Sequence, residues 1–354
     1  MKKSRIIALV VGLIVVVGVF AFVLPRIADY RAVWNTIQGL TWEEGLALLA
    51  AELFNLATFA PPLMAALPGI GYWRASVITQ ASTASTYIAP GGAAVGFGTS
   101  FAMLRGWGFE GGPVTLAVTL TGVWNQLFML AAPAVALALL TFQGGTNTTL
   151  VIVAIVGLII FAVAVAAFVA AVLSNRLARW VGDTAAQWAS WLLALIKRSP
   201  VTWGGESLVR FRVQTVALLG RRWLALTLAT AAGQLSVFIV MVVCLRSLGV
   251  TGSQVTITEA FAAWTFVRLL GSIPITPGGI GIVELGLTGA LVGFGGANDA
   301  VVAAVLLYRV LTIVPTLVLG LAAGVIWQRL RKHDREMVVV VSELEVVEAD
   351  DRQP

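Results

Sequence analysis

Charge is scarce in this chain: only 11% of its 354 residues are Asp, Glu, Lys or Arg, while 59% are hydrophobic. A water-soluble fold of that length exposes far more charge, so the composition excludes a soluble globular domain. There is one cysteine, Cys244, and one histidine, His333. An internal disulfide is therefore excluded, and little remains for a Ser/His/Asp triad, a Cys/His pair or a histidine-based zinc site. No phosphate-cradling P-loop pattern is present. No metal or cofactor is expected. The net charge is +6, yet the basic residues lack the aromatic interleaving of a nucleic-acid surface, and no nucleic acid is expected as a partner. They report membrane topology and contact with anionic lipid instead.

What the sequence has in abundance is apolar sequence, with a mean hydropathy of +0.94. It reads as an all-α polytopic membrane protein. Segments 6–24, 44–67, 113–141, 149–173, 223–247 and 300–328 each approach or exceed the ~20 residues that cross a bilayer. They predict about six full spans. Lys2-Lys3-Ser4-Arg5 ahead of the first run imitates a signal peptide. The run is longer than the ~7–15 residues of a signal core, and Leu24-Pro25-Arg26 is a poor cleavage site, so it is read as an uncleaved span.

One motif occurs twice inside this apolar sequence. It reads Ala89-Pro90-Gly91-Gly92 and then Thr276-Pro277-Gly278-Gly279. Proline removes a backbone donor and glycine frees the backbone, so a helix is expected to break at each copy. Broken backbone at membrane depth is tolerated only where protein or a water-filled cavity satisfies it. Segments 76–109 and 257–296, which carry the breaks, are read as two re-entrant helical hairpins.

Basic residues set the orientation. Lys2, Lys3 and Arg5 place the N-terminus in the cytoplasm. The layout then puts Arg74 and Arg105 inside, together with the connector cluster from Arg176 to Arg222. The cluster Arg329, Arg331, Lys332 and Arg335 also falls inside, so both termini are cytoplasmic. Repeat one, about 44–141, starts outside, and repeat two, about 223–328, starts inside. This is an inverted repeat, as in many secondary transporters, and paired breaks in corresponding positions point to a transport site. The plainer alternative is coincidence, since glycine and proline are common in membrane helices. Residues 1–330 form one transmembrane domain in this reading. The connector 174–222 carries Trp180, Trp188, Trp191 and Trp203, and its 176–197 part fits an amphipathic helix in the cytoplasmic headgroup region. The short tail 331–354, acidic from 336 on, reads as disordered.

Ionisable residues inside membrane segments are expensive, so each is a functional candidate. The second repeat holds Glu259, Arg268, Glu284 and Arg309. Arg309 needs an anion, and a structural ion pair with Glu284 is one reading. In the other, Arg268 and Arg309 receive a lipid phosphate, whose oxygens match the planar fork of arginine, while Glu284 holds or releases Arg309. The helix after Gly279 can aim free N–H groups at the same phosphate. In the first repeat, Glu52 and Asn55 lie one turn apart. Asn55 and Asn125 are candidate headgroup contacts, and Asn125 occupies a place like that of Tyr308-Arg309. Gln80, Ser82, Thr83, Ser85, Thr86 and Tyr87 make the first hairpin's leading arm polar. These side chains are either helix-packing hydroxyls or the lining of a hydrophilic cavity. Pro90, Gly91 and Gly92 permit close backbone approach. Glu52, Glu259 and Glu284 are the candidate proton carriers at depth.

The run Pro274-Ile275-Thr276-Pro277-Gly278-Gly279-Ile280-Gly281-Ile282-Val283-Glu284, with Tyr308-Arg309 downstream, resembles the signature of the lysylphosphatidylglycerol synthase transmembrane-domain family, also called flippase-like. The resemblance carries Pro277, Gly278, Gly279, Gly281, Glu284, Tyr308 and Arg309 onto the family motif. Arg268 rests on the residue argument alone. The family implies lipid movement across a bacterial cytoplasmic membrane. In its full-length synthases a soluble domain first attaches an amino acid to the lipid. Here the ~25 residues after the last span are too few for such a domain, so a stand-alone membrane domain is expected and not an enzyme. The expected function is translocation of an anionic phospholipid or lipid-linked headgroup through a cavity between the two hairpins. A separate lipid-modifying enzyme and a second copy of the chain are compatible partners. The alternatives are a membrane subunit of an enzyme acting on a polyprenyl-phosphate sugar or aminoacyl lipid, and a non-transporting scaffold.

Overall fold

A computed structural model describes residues 38–88, 92–142, 148–195, 204–272 and 277–350, with 199 and 201. Every regular element among these residues is helical. In chain order they are α1 (Trp42–Ala57), α2 (Pro61–Ala66), α3 (Tyr72–Ile88), α4 (Gly92–Gly106), α5 (Gly111–Phe142) and α6 (Thr148–Leu173). Then follow α7 (Asn175–Leu195), α8 (Gly205–Ser247), α9 (Ile257–Gly271), a 3-10 turn (Pro277–Gly279), α10 (Ile282–Gly293) and α11 (Asn298–Asp350).

Local chemistry sets several helix ends. Thr41 and Thr256 open α1 and α9 with the same reciprocal cap. Each threonine hydroxyl accepts from the backbone N–H of the glutamate three residues on, and Glu44 or Glu259 accepts from the threonine N–H at 2.8 Å. This satisfies donors that a helix start leaves free. Pro61 and Pro62 then begin α2 after a short break, where a missing N–H costs nothing. At the end of α6, Arg212 of α8 donates to the carbonyls of Val172 (2.7 Å) and Leu173 (2.9 Å). A cation there satisfies orphan carbonyls and the negative helix end.

Four helical stretches are long and apolar enough to cross a membrane: Trp42–Ala66, Gly111–Phe142, Gly205–Ser247 and Asn298–Arg329. They correspond to the expected spans 44–67, 113–141, 223–247 and 300–328. The expected span 149–173 is helical as α6, but the chain turns by 91° into α7, so the bent pair counts as at most a fifth span. The expected first span, 6–24, lies outside the described residues. The connector also differs from its sequence reading. Residues 205–222 are not a separate linker but the first turns of α8, which at 43 residues is about 65 Å long. Arg221 and Arg222 end an apolar run, but arginine is a good helix former and does not end a helix. For the same reason α11 runs to Asp350, where the composition suggested a disordered tail. No proline or glycine interrupts 331–350.

Between the long helices sit two antiparallel helical hairpins. In the first, Arg74 at the start of α3 stacks its guanidinium 5.6 Å from the ring of Trp107, just past α4. Ser82 meets Gly96 midway, its hydroxyl donating to the Gly96 carbonyl at 2.8 Å. In the second, Gly286 of α10 packs on Val267 of α9, and Gly296 packs on Val255. These four short helices measure about 18–26 Å each, less than the ~30 Å of a hydrocarbon core. The element order is therefore long, short, short, long, and it occurs twice.

Packing between the two sets is reciprocal. α3 of the first hairpin lies along α11, the last helix of the second set, while α9 of the second hairpin lies along α5, the last helix of the first. Gly320 makes the α3–α11 approach close: a Cβ there would collide with the Cβ of Ala84 and lie 2.9 Å from the Gln80 carbonyl oxygen. Gly324, one turn on, faces open space. Gly320→Leu is expected to destabilise the fold by about 1–3 kcal/mol through overpacking, whereas Gly324→Leu leaves it unchanged. Thermal melts of both variants in detergent check this, with equal melting temperatures counting against the packing.

Candidate functional site

A cavity of about 540 Å³ opens between the two hairpins. The first hairpin contributes Ser82, Thr83, Thr86 and Tyr87, and the second contributes Arg268 and Gly278. The long helices close it with Asn55, Asn125, Thr230, Gln234, Tyr308 and Arg309. Hydroxyls, amides and two guanidinium groups thus face a space otherwise walled by apolar side chains. Among the described residues that line it there is no carboxylate, histidine or cysteine.

One wall is built on the break in the second hairpin. Gly278 and Gly281 adopt φ of 63° and 88°, conformations that side chains with a Cβ rarely take. The N–H of Gly281, at the start of α10, donates to Glu284 Oε2 at 2.6 Å. The other carboxylate oxygen accepts from Arg309 Nε at 2.6 Å, and Arg309 Nη2 donates to the Gly278 carbonyl at 3.0 Å. Glu284 is 2% and Arg309 6% exposed. This is the ion pair anticipated from the sequence, and it does more than neutralise Arg309. It satisfies backbone groups that the helix break leaves open. Pro277 begins the 3-10 turn, and a Cβ on Gly279 would press on Val283 and the Gly271 carbonyl, so that glycine lets α9 and α10 close.

The hairpins meet at this wall. A Cβ on Gly278 would collide with the ring of Tyr87, at the end of α3. Pro90 and Gly91 lie outside the described residues. Gly92 opens α4 against the Thr86 carbonyl and leaves no room for a side chain. The polar leading arm serves both expected purposes. Thr79, Thr83, Ser85 and Thr86 bond back to carbonyls one turn earlier, and Ser82 and Ser85 tie to α4 through Gly96 and Thr99. Ser82, Thr83 and Thr86 also line the cavity.

A second polar part of the lining centres on Arg268, in the last turn of α9. Its Nη2 donates to Gln234 Oε1 at 3.0 Å, and Gln234 Nε2 in turn donates to Asn125 Oδ1. The guanidinium carbon lies 5.0 Å from the Trp264 ring centroid, a cation–π contact. Trp264 Nε1 donates to Tyr308 Oη at 3.3 Å. Asn125, Gln234, Arg268 and Tyr308 are thus joined across α5, α8, α9 and α11. Among the described residues no carboxylate pairs with Arg268. Sequence reasoning missed Gln234 and Trp264. The amide in an apolar span was the available signal for the first, while nothing distinguishes the second from other membrane tryptophans.

Glu52 does not line the cavity. It is buried behind Asn55, whose Nδ2 donates to Glu52 Oε2 at 3.3 Å. Glu259, expected at depth, instead caps the start of α9 with Thr256. Thr-x-x-Glu ahead of an apolar run is itself the capping signature, so this role was readable.

Comparison with protein families matches residues 7–320 to the lysylphosphatidylglycerol synthase TM region. Comparison with curated proteins found no match at the significance applied.

Because the Glu284–Arg309 pair is buried and its partners are fixed, removing one member leaves an unpaired charge. Glu284→Gln is expected to cost about 3–5 kcal/mol of stability. The double change Glu284→Gln with Arg309→Met is expected to cost less than the sum of the singles, a coupling that thermal melts in a double-mutant cycle measure. Additive losses would place the two side chains in separate roles.

Proposed function

The chain belongs to the lysylphosphatidylglycerol synthase transmembrane-region family, and on that premise we propose that it translocates an anionic phospholipid or lipid-linked headgroup across the membrane. The observation that carries this reading is the charge of the cavity. Two arginines reach its walls, and among the described residues only Arg309 is neutralised by a carboxylate. An arginine at membrane depth costs at least ~2.5–3.5 kcal/mol, and a passing phosphate offsets that cost at Arg268. The guanidinium presents several N–H donors, of which Gln234 takes one. Phosphate oxygens take the others, and the acyl chains remain in lipid.

Several features support transport over catalysis. Among the described residues the lining offers no carboxylate, histidine or cysteine to act as base or nucleophile partner. The hairpins are too short to cross, which suits re-entrant elements that enter and leave on one side. Reciprocal packing of α3 with α11 and of α9 with α5 suits two inverted repeats that rock about a shared site. The positions of the basic clusters support a reading with both termini on the cytoplasmic side of a bacterial inner membrane. α7 turns 91° away from α6 and exposes Trp180, Trp188 and Trp191, as a helix lying in the headgroup plane does. A lipid-modifying enzyme that supplies the cargo fits as a separate partner.

Leaflet accessibility of a fluorescent anionic phospholipid in proteoliposomes tests the reading. The wild type is expected to move the lipid. Arg268→Gln, which leaves the Glu284–Arg309 pair intact, is expected to slow it by roughly tenfold or more, the worth of a charged hydrogen bond. Wild-type rates in that variant, or equal transport of a zwitterionic lipid, would overturn the anion site.

A further inference from the structure

Of the four carboxylates in the apolar segments 44–67 and 257–296, three have assigned partners: Glu44 and Glu259 cap helices and Glu284 holds Arg309. Glu52 is different. It is 4% exposed, and its Oε1 is buried with no hydrogen-bond partner. Among the described residues no basic side chain pairs with it. An ionised carboxylate in that position is severely penalised, because a buried charge needs both a counter-charge and donors. A proton removes the penalty.

The other oxygen of the same carboxylate is connected to the cavity. Asn55 Nδ2 holds Glu52 Oε2, and Asn55 Oδ1 accepts from Ser236 at 3.1 Å. The Ser236 and Thr58 hydroxyls are 2.8 Å apart, and Thr58 donates to the Asn55 carbonyl at 2.6 Å. Asn55 and Thr58 both line the cavity. A polar cluster therefore runs from the cavity wall to one oxygen of the Glu52 carboxylate, across the α1–α8 contact, and leaves the other oxygen without a partner.

We propose that Glu52 is the proton-binding site that couples lipid passage to the proton gradient. The inference rests on the translocation reading above. An anionic headgroup in the cavity repels an ionised Glu52 through a medium that screens poorly. Headgroup and proton therefore bind together. The proton joins the Glu52 carboxylate as the headgroup binds and leaves it once the headgroup has gone. For a monoanionic lipid, one proton makes the step electroneutral, so the membrane potential does not oppose it.

Other charged and titratable groups near α1 are otherwise engaged or distant. On α8, the Cys244 thiol lies within electrostatic reach of Glu52. Arg246 is anchored to the carbonyls of Val250 and Val255, and Arg221 and Arg222 lie several turns toward the opposite end. On α11 these groups are Asp299 in the first turn, Tyr308, which accepts from Trp264, and Arg309, which is held by Glu284. On α1 itself, Glu44 caps Thr41, and Glu43 lies beside it in the first turn.

The test uses the full chain in proteoliposomes containing fluorescent phosphatidylglycerol, with an imposed pH gradient and protein-free vesicles as the baseline. The wild type is expected to enrich the lipid in the leaflet facing the alkaline compartment. Coupling of one proton per lipid gives an enrichment approaching about tenfold per pH unit. Clamping the membrane potential should not change it. Glu52→Gln is expected to lose the enrichment. Retention of wild-type enrichment in Glu52→Gln overturns the proposal, and so does enrichment that follows a sodium gradient in place of pH. Wild-type transport indifferent to either gradient overturns the coupling but leaves translocation standing. No transport by wild-type protein overturns the translocation reading itself. A separate readout then decides the site: the infrared band of a protonated carboxyl near neutral pH. That band should be present in wild type, shifted in Glu52→Asp and lost in Glu52→Gln. Its absence from wild type overturns proton binding at Glu52.

Discussion

The pair between Glu284 and Arg309 is what the rest of the arrangement depends on. An arginine buried in an apolar helix needs an anion, and a helix broken at Pro277–Gly279 needs partners for its loose backbone groups. Both needs are met by the same few atoms. Glu284 accepts from Arg309 and from the N–H of Gly281, while Arg309 also donates to the Gly278 carbonyl. The charge pair is thus tied into the break. It holds α10 and α11 in register and fixes the turn against which Tyr87 of the first hairpin rests. Without it, the second hairpin would present an unsatisfied backbone and an unpaired cation to the same apolar region, each worth several kcal/mol.

That arrangement divides the work of the two arginines. Arg309 is committed to structure, although its side chain reaches the cavity. Arg268 is held in place by weaker and neutral partners, an amide and an aromatic face. Its position is fixed, and among the described residues no carboxylate cancels its charge. Positioning by neutral groups is how a site keeps an ion-binding charge ready without cancelling it. The carboxylates divide in the same way. Glu259 and Glu284 complete helix ends, and Glu52 is left with an unanswered oxygen behind the cavity wall.

Much of this was legible in the sequence because the membrane restricts what apolar segments can do. Segments 44–67, 113–141, 223–247 and 300–328 are recovered as membrane-length helices because length and hydropathy decide that alone. The helix break at Pro277–Gly279, and the link of Glu284 to Arg309, follow from local chemistry and from the cost of a buried charge. The misreadings have physical causes. The connector 174–222 and the span 223–247 are divided in the sequence at Arg221 and Arg222, but charge limits membrane depth and not helicity, and one helix runs through both. Glu259 was placed at depth because its neighbours are apolar, whereas its bond to Thr256 puts it at a helix start. Gln234 and Trp264 escaped notice because their importance comes from contacts with residues far away in the chain.

The amino-acid sequence by itself determined the class of molecule, the membrane-length helices, the two break points and the identity of the costly buried charges. These follow from composition, period and the free energy of placing polar groups in an apolar medium. Tertiary structure decided which charges cancel. Arg268 and Arg309 look alike in sequence, and so do Glu52 and Glu284. Only the packing of α9, α10 and α11 gives Arg309 a carboxylate and leaves Arg268 with an amide. Only the position of α8 beside α1 leaves Glu52 with a single amide donor. Electrostatic pairing is a matter of a few ångströms between residues distant in the chain, and that distance exists only once the helices have packed.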